Sequence, residues 1–467
     1  MMSEAQVGQS KDKESNAMNA QTTPSDQQAG NPRTFVIGNG PLFDGGGRFF
    51  EKGALRIEGD RVAALGDLDQ VLSPGLPFID VEGRLILPGL VNLHHHFYSA
   101  LAVGLRPTGP ITDFRSNLAH FWWPLDSALG SHEVEVSTRL TLVECLKHGV
   151  TTVFDHHASP FCAQGILDKI AVCVEEAGLN AVLALEVSDR NGEALRDASL
   201  EENLRFLGQR GEHRHVRGVM GLHANFTLSE ISLERVAAAL PEGEGVHIHC
   251  GEAAEDATFC RDAGYAGPVE RLDRSGLLNH RTILAHGVHL TPGELDTIQH
   301  SEAFLVHNPE SNCKNAVGEL SAKASGYGLG TDGMTSSMLG TLRFAFLRRR
   351  GLSPDPEYSP DAVLRALFTV NARAASLYLD DVVGILSPGA RADVAVFDYI
   401  PLTPIDEGNL AGHLIFGAHA ARAHYVLGSG AVLLWKGKPI TLREDEIRGE
   451  AAALAPQLFA RIARSSS

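Results

Sequence analysis

Residues 88–96 read PGLVNLHHH. Pro88 and Gly89 lead directly into a short apolar run that ends on three histidines. Side chains at i and i+2 of a strand share a face, so His94 and His96 can grip one ion together while His95 points away. Three adjacent histidines also occur by chance, so this motif gains force only from the pattern of the rest of the chain.

Seven more short apolar runs lie downstream: VTTVFD (150–155), NAVLALEV (180–187), RGVMGLH (217–223), GVHIH (245–249), TILAH (282–286), AFLVH (303–307) and GYGLGTD (326–332). Most are followed by a helical pattern. Continuous apolar strands alternating with helices imply a parallel sheet covered on both faces. Eight such units predict an α/β protein with a (β/α)8 TIM-like barrel over residues 88–385.

The ends of these strands are polar throughout. In order they carry His94 and His96, Asp155 with His156 and His157, Glu186, His223, His249, His286, His307 and Asp332. In barrel enzymes the strand C-termini converge on one mouth. A lone histidine there is most often a hydrogen-bonded structural residue. Polar residues at all eight ends are hard to explain by packing, and buried imidazoles must find partners. A shared metal satisfies several at once. His249 adds a third nitrogen to His94 and His96, and Asp332 adds an oxygen. Three imidazoles and a carboxylate suit zinc, with iron or manganese as alternatives. A position left for water makes such a site catalytic. Glu252, in HIHCGE (247–252), lies just past the same strand end, where a carboxylate can take a proton from a metal-activated water and pass it on. His247 shares a face with His249 and reads as a supporting residue rather than a ligand.

Outside the barrel the pattern changes. TFVIGNG, GALRIEGDRVAALG and FIDVEGRLILPG near one end match GILSPGARADVAVFDY and AHYVLGSGAVLLWKGKPI near the other. Turn residues punctuate these runs, so 34–87 and 386–443 read as one small composite β-sandwich domain built from both chain ends. Residues 1–33 are polar with almost no large apolar side chains, and read as a disordered tail. Residues 444–467 read as a terminal helix interrupted at Pro456 and then a loose tail.

The whole chain has 467 residues, 43% of them hydrophobic, which is globular composition. Its 40 Lys+Arg against 57 Asp+Glu give a net charge of −17, which argues against a nucleic-acid or anionic-membrane partner. No apolar run approaches a membrane span, and the N-terminus lacks a secretory apolar region. Six cysteines without a CxxC form neither a disulfide scaffold nor a zinc-finger pattern, so the expected setting is cytoplasmic.

PGLVNLHHH, HIHCGE, LAHGVHL, VHNPESN and LGTDG, in that order, resemble the amidohydrolase superfamily. The branch resembled holds guanine deaminase, 8-oxoguanine deaminase and the triazine hydrolases. HFYSALAVGLRP, FWWPLD, VFDHHASP, NPESN and AGHLIFG are most similar to the SsnA-type aminohydrolases, found with selenium and purine metabolism. The resemblance spans residues 34 to 440 and implies a barrel with a composite β-sandwich. It implies one divalent metal per subunit on His94, His96, His249 and Asp332. Glu252 would shuttle the proton, His286 would hydrogen-bond the attacking and departing groups, and Asp332 would also accept a proton. No Lys stands at the end of the fourth strand, where binuclear relatives carry a carboxylated Lys, so the site implied is mononuclear and of the deaminase type. Relatives of this kind are usually dimeric, which makes a homodimer one option, while nothing in the sequence itself fixes the oligomeric state.

Candidate substrate groups lie on loops above the metal. Arg106, His157, Glu186, Arg190 and His223 could read carbonyl or ring N–H groups, and Arg106 or Arg190 would suit an oxygen-rich or anionic ring. Phe121, Trp122 and Trp123 could stack on a planar heterocycle, although packing under a helix is the commoner fate of such rings. The expected activity is therefore removal of an exocyclic amine from a purine-, pyrimidine- or triazine-like heterocycle by hydrolysis. The rival activity is ring C–N hydrolysis of a cyclic amide, which releases no ammonia. A rival of another class is a non-catalytic metal-binding scaffold, disfavoured because ligands and proton shuttle are all present.

Overall fold

The structure, a computed structural model, describes residues 34–352 and 359–465. The stretch expected to be an N-terminal tail lies outside them. The chain opens with five strands, β1 (Thr34–Phe43), β2 (Phe49–Glu58), β3 (Arg61–Asp67), β4 (Phe78–Asp80) and β5 (Leu85–Pro88). Gly89 comes next, and its missing side chain lets the backbone pass Thr151, whose Oγ1 would stand 2.2 Å from a Cβ there.

The middle of the chain supplies β6 (Leu90–His95), β7 (Val150–His157), β8 (Asn180–Leu185), β9 (Val216–Gly218), β10 (Met220–Ala224), β11 (Val246–Cys250), β12 (Ile283–His286), β13 (Phe304–His307) and β14 (Gly328–Leu329). They form two parallel sheets, β6-β7-β8-β9 and β10-β11-β12-β13-β14. All pair in parallel, and all but β9 are buried along their whole length, as expected of a sheet covered on both faces. The fourth apolar run is one expected strand that appears as two. It changes partners at Val219, with β9 on β8 and β10 on β11.

Two seams join the sheets into a ring, and each is closed by an asparagine. At one seam Val187 bridges Leu222 in parallel. There Asn203, from the helix Glu193–Gly208, accepts from the amides of Leu185 (3.0 Å) and Gly221 (3.2 Å). Its amide donates to the carbonyls of Leu185 (2.6 Å) and Ser199 (2.8 Å). At the other seam His95 bridges Asp332, next to β14. Here Asn371 accepts from the Leu329 amide (2.9 Å) and donates to the carbonyls of Val91 (2.8 Å) and Leu329 (2.9 Å). Glycines make that approach possible, since a Cβ on Gly330 would lie 2.8 Å from the Cβ of His94. One apolar cluster takes Val91, Phe154, Val182, Ile283 and Val306 from five strands, so both sheets share a core.

The chain then returns to its start. Strands β15 (Val394–Phe397), β16 (Ala423–Gly428), β17 (Ala431–Trp435) and β18 (Lys438–Pro439) extend the first sheet through antiparallel pairing of β15 with β5. The result is nine strands from both ends of the chain in one hydrogen-bonded sheet. Side chains of its two halves, among them Ile37, Leu55, Val394 and Leu427, pack into one cluster. The last helix, Glu444–Ser465, passes through Pro456 without the expected break. Pro456 lacks only one amide donor, and burial of Leu458 and Ile462 holds the helix beyond it. Among the described residues no helix is long and apolar enough to cross a membrane.

The asparagine seams carry a stability prediction. Asn371→Ala strands three buried backbone groups, each worth about 1–3 kcal/mol when unsatisfied. Urea unfolding should report a loss of about 3 kcal/mol or more. A loss below about 0.5 kcal/mol would mean that the seam does not depend on this side chain.

Candidate active site

His94 and His96 stand at the end of β6, His249 near the end of β11, and Asp332 just past β14. One ligand atom from each lies within 4.8 Å of all the others. The Nε2 atoms of His96 and His249 are 3.3 Å apart. Asp332 Oδ1 lies 2.7 Å from His96 Nε2 and 3.6 Å from His94 Nε2. Four donors about 2 Å from a central zinc stand roughly 3.3 Å from one another.

Each imidazole is turned by its other nitrogen. His96 Nδ1–H donates to the carbonyl of His156, and His249 Nδ1–H donates to the carbonyl of His223 at 2.8 Å. His94 Nδ1 meets His247 Nε2 at 2.9 Å. With Nδ1–H as donor there, His94 Nε2 keeps its lone pair, and that atom is buried without a hydrogen-bond partner. Burial pushes His94 and His249 well below the usual imidazole range, which keeps them neutral and able to ligate. The orphaned nitrogen, the spacing and the donor set all fit a divalent metal ion. The chain therefore carries a His/Asp metal-binding site. His247 supports a ligand, and His95 turns away to Ser336 Oγ at 3.3 Å, as the alternation of side chains requires.

Glu252 and His286 face this cluster and form a second convergent group with Asp332. Glu252 Oε1 accepts from Asn315 Nδ2 at 3.0 Å, and Oε2 lies 3.6 Å from His286 Nε2. Burial pushes the Glu252 carboxyl above its ordinary range, against the pull of His286. His286 Nδ1–H donates to Asn312 Oδ1 at 2.8 Å, which leaves Nε2 facing Glu252. Ser311 Oγ donates to the second oxygen of Asp332. His286 and Asp332 both have left-handed backbone, with φ of 80° and 53°. Non-glycine residues rarely adopt it, and the strain is about 1–3 kcal/mol each. The turn swings both side chains off the strand alternation and into the mouth.

A cavity opens over the cluster, lined by His96, His249, Glu252 and Asp332 together with Tyr98, Trp122, Trp123, Asp126, Glu186, His223 and Asn315. Of the substrate residues read from sequence, Glu186 and His223 reach it. Arg190 stands against its wall, in ion pairs with Asp126 (2.8 Å) and Glu186 (2.9 Å) and over the Trp123 ring at 5.4 Å. His157 does not line it: its Nε2 bonds Ser159 Oγ at 2.8 Å behind Tyr98. Arg106 does not reach it either, because the loop after β6 runs outward there and leaves the guanidinium in water. His307 likewise pairs with Glu319 at 3.1 Å, apart from the cluster. Trp122 and Trp123 do line the cavity, whereas Phe121 packs on the flank of Trp122.

Sequence reasoning missed Tyr98, Asp126 and Asn315. Tyr98 is delivered by a tight turn, Phe97–Ala102, whose first amide is held by Asp155 Oδ1 at 2.7 Å. Asp126 comes from a covering segment made of the helix Phe114–Asn117, the π-turn Leu118–Trp122 and the helix Trp123–Ala128. Burial pushes its carboxyl up to about 7, with Arg190 opposing and Glu186 reinforcing the rise. A carboxylate inside FWWPLD, among apolar residues of a short helix, is the signal that could have found it.

Residues 85–432 match the amidohydrolase family model, and the chain belongs to that family. It is 30% identical over 428 residues to a 5-methylthioadenosine/S-adenosylhomocysteine deaminase of Pelotomaculum thermopropionicum, covering 88% of this chain and 95% of that one. It is also 30% identical over 441 residues to a 5'-deoxyadenosine deaminase of Methanothermobacter thermautotrophicus, covering 91% and 98%. The fold is that of an adenosine deaminase from Xanthomonas campestris with bound zinc (TM-score 0.80, 23% identity, 93% of this chain and 99% of that one). It is also that of atrazine chlorohydrolase from Arthrobacter aurescens TC1 complexed with zinc (TM-score 0.75, 23% identity, 90% and 100%).

The supporting role of His247 is testable without touching a ligand. His247→Ala should weaken zinc binding about 10- to 100-fold in chelator competition. Affinity unchanged within about twofold would show that the contact to His94 Nδ1 orients nothing.

Proposed function

We propose that this member of the amidohydrolase family is a metal-dependent aminohydrolase that removes an exocyclic amine from a nitrogen heterocycle as ammonia. The observation that carries the reading is the placement of Glu252 and His286 on the open side of the four-donor cluster, with Glu252 Oε2 3.6 Å from His286 Nε2. One divalent ion per subunit, zinc ahead of iron or manganese, would rest on His94, His96, His249 and Asp332 and supply a water acidic enough to react near neutral pH.

The chain's own groups do the rest. Asn315 holds one oxygen of Glu252, so the other faces the reacting groups. That oxygen takes the proton of the attacking water and delivers it to the ring nitrogen beside the amine-bearing carbon. Nε2 of His286, with Nδ1–H fixed on Asn312, accepts a hydrogen bond from the attacking water. Asp332, steadied by Ser311, accepts the second proton and returns it to the departing amine. Water adds to the ring carbon, the carbon–nitrogen bond breaks and ammonia leaves, so the ring stays whole. Trp122 and Trp123 give the wall apolar area that suits a heterocycle. The deaminases among the relatives, which by name act on adenine nucleosides, support a purine-type ring. A cytoplasmic setting is part of the same reading.

The test is ammonia release from amino-substituted purines, pyrimidines, triazines and 5'-deoxyadenosine by zinc-loaded protein, with ring absorbance followed in parallel. The proposal expects ammonia with the ring intact, and Glu252→Gln should lower turnover by about 10²–10⁴-fold. Ring loss without ammonia, or near wild-type turnover in the variant, contradicts it.

A further inference from the structure

The charge around the cavity is unevenly spread. Four carboxylates line it, Asp126, Glu186, Glu252 and Asp332. Glu252 and Asp332 face the imidazole cluster, where a divalent cation held by the four donors would balance them. Asp126 and Glu186 stand on the wall beside His223 and Tyr98, and there the balancing charge is Arg190. Its Nη2 bridges both carboxylates, and all three side chains are no more than 8% exposed. Arg190 holds Glu186 ionised, whereas burial pushes the Asp126 carboxyl up to about 7, so this wall carries no net positive charge and becomes negative as Asp126 ionises. The ammonium of Lys314 gives this wall nothing, because it lies over the rings of Phe121 and Trp122 and bonds Asn117 Oδ1 at 3.2 Å.

Glu186 also lacks a proper partner. Its Oε1 touches Arg190 Nη2 at 2.9 Å but without hydrogen-bond alignment, so this buried oxygen has no donor. A buried carboxylate oxygen left unbonded is unfavourable, and a donor arriving with the substrate would relieve it. An anionic group placed there would instead meet like charge in a poorly hydrated site.

We propose that Glu186 and Asp126, held by Arg190, read the part of the substrate remote from the metal ligands, and that this part carries amino, N–H or cationic groups rather than a carboxylate or phosphate. This rests on the cavity being the substrate site of an aminohydrolase. It departs from the expectation from sequence that Arg190 would serve an anionic ring: its Nη2 is shared between the two acids, and although its Nε and Nη1 are buried without partners, Arg190 does not line the cavity, whereas Glu186 does.

The test uses calorimetry on zinc-loaded, full-length protein in a Glu252→Gln background, with three probes that differ in one substituent: 5'-amino-5'-deoxyadenosine, 5'-deoxyadenosine and adenosine 5'-carboxylate. The amino probe should bind tightest and the carboxylate weakest, with about 100-fold between them. Adding Glu186→Gln should shrink that ratio to about threefold, and Glu186→Arg should reverse the order. Asp126→Asn, which removes the other charge, should also shrink it and gives the answer if the Glu186 variants melt early. A carboxylate probe that binds as well as the amino probe, a ratio unmoved by either neutralisation, or no binding by any probe overturns the proposal. Ammonia release by the wild type is read separately. Ammonia with an unmoved ratio removes this proposal alone, and a ratio that follows Glu186 without any ammonia removes the aminohydrolase reading alone.

Discussion

Two backbone hydrogen bonds, from the amides of Thr331 (3.0 Å) and Asp332 (2.9 Å) to the carbonyl of His94, hold the first barrel strand to the last. They close the ring of strands, and they also set the Asp332 carboxylate against the imidazoles of His94 and His96. The same two bonds therefore serve both the closed ring and the metal site. The seam is narrow, with one isolated bridge between His95 and Asp332, so side chains must complete it. Asn92 does so next to the site, donating to Thr331 Oγ1 at 2.7 Å and accepting from the Thr331 amide at 3.2 Å, while Asn371 does so lower down.

Around this seam, polar groups that would be unfavourable in any core are arranged to satisfy one another. The strand-end carbonyls of His156, still in register opposite Ala184, and of His223, at an irregularity in the β10–β11 pairing, accept from ligand imidazoles. The left-handed backbone at His286 and Asp332 is tolerated for the same reason: it turns functional side chains inward where strand geometry would turn them out. The strands thus carry the reacting groups on rigid supports. The segment 114–128 covers them and brings one further acid, Asp126, to the wall.

The eight strands were legible because two independent signals coincide at each: a short apolar run and a polar residue at its C-terminal end. Side-chain alternation paired His94 with His96, strand-end position offered His249 and Asp332, and the family resemblance implied the same four, which the structure brings together. The division of the fourth strand at Val219 was not legible, because a change of hydrogen-bond partner leaves no mark on hydropathy. Loops were the other blind spot. Arg106 and Arg190 on loops, and His157 at the end of β7, share residue types with true pocket groups, but their roles depend on where the chain turns and which partner is nearer. Arg190 finds two buried acids, His157 finds Ser159, and Arg106 finds water. Tyr98 and Asn315 escaped notice because nothing in their local sequence marks them, and a short turn or helix end decides their position.

The central claim is that a ring of strand ends converges on one metal ion through His94, His96, His249 and Asp332. Anomalous diffraction from crystals of the zinc-loaded protein, recorded on both sides of the zinc edge, tests it most directly. The account predicts a single strong peak bonded to Nε2 of the three histidines and to a carboxylate oxygen of Asp332, with Glu252 and His286 on its open side. A peak bonded through Nδ1 atoms, one seated away from these four residues, or crystals that hold no zinc there would contradict it.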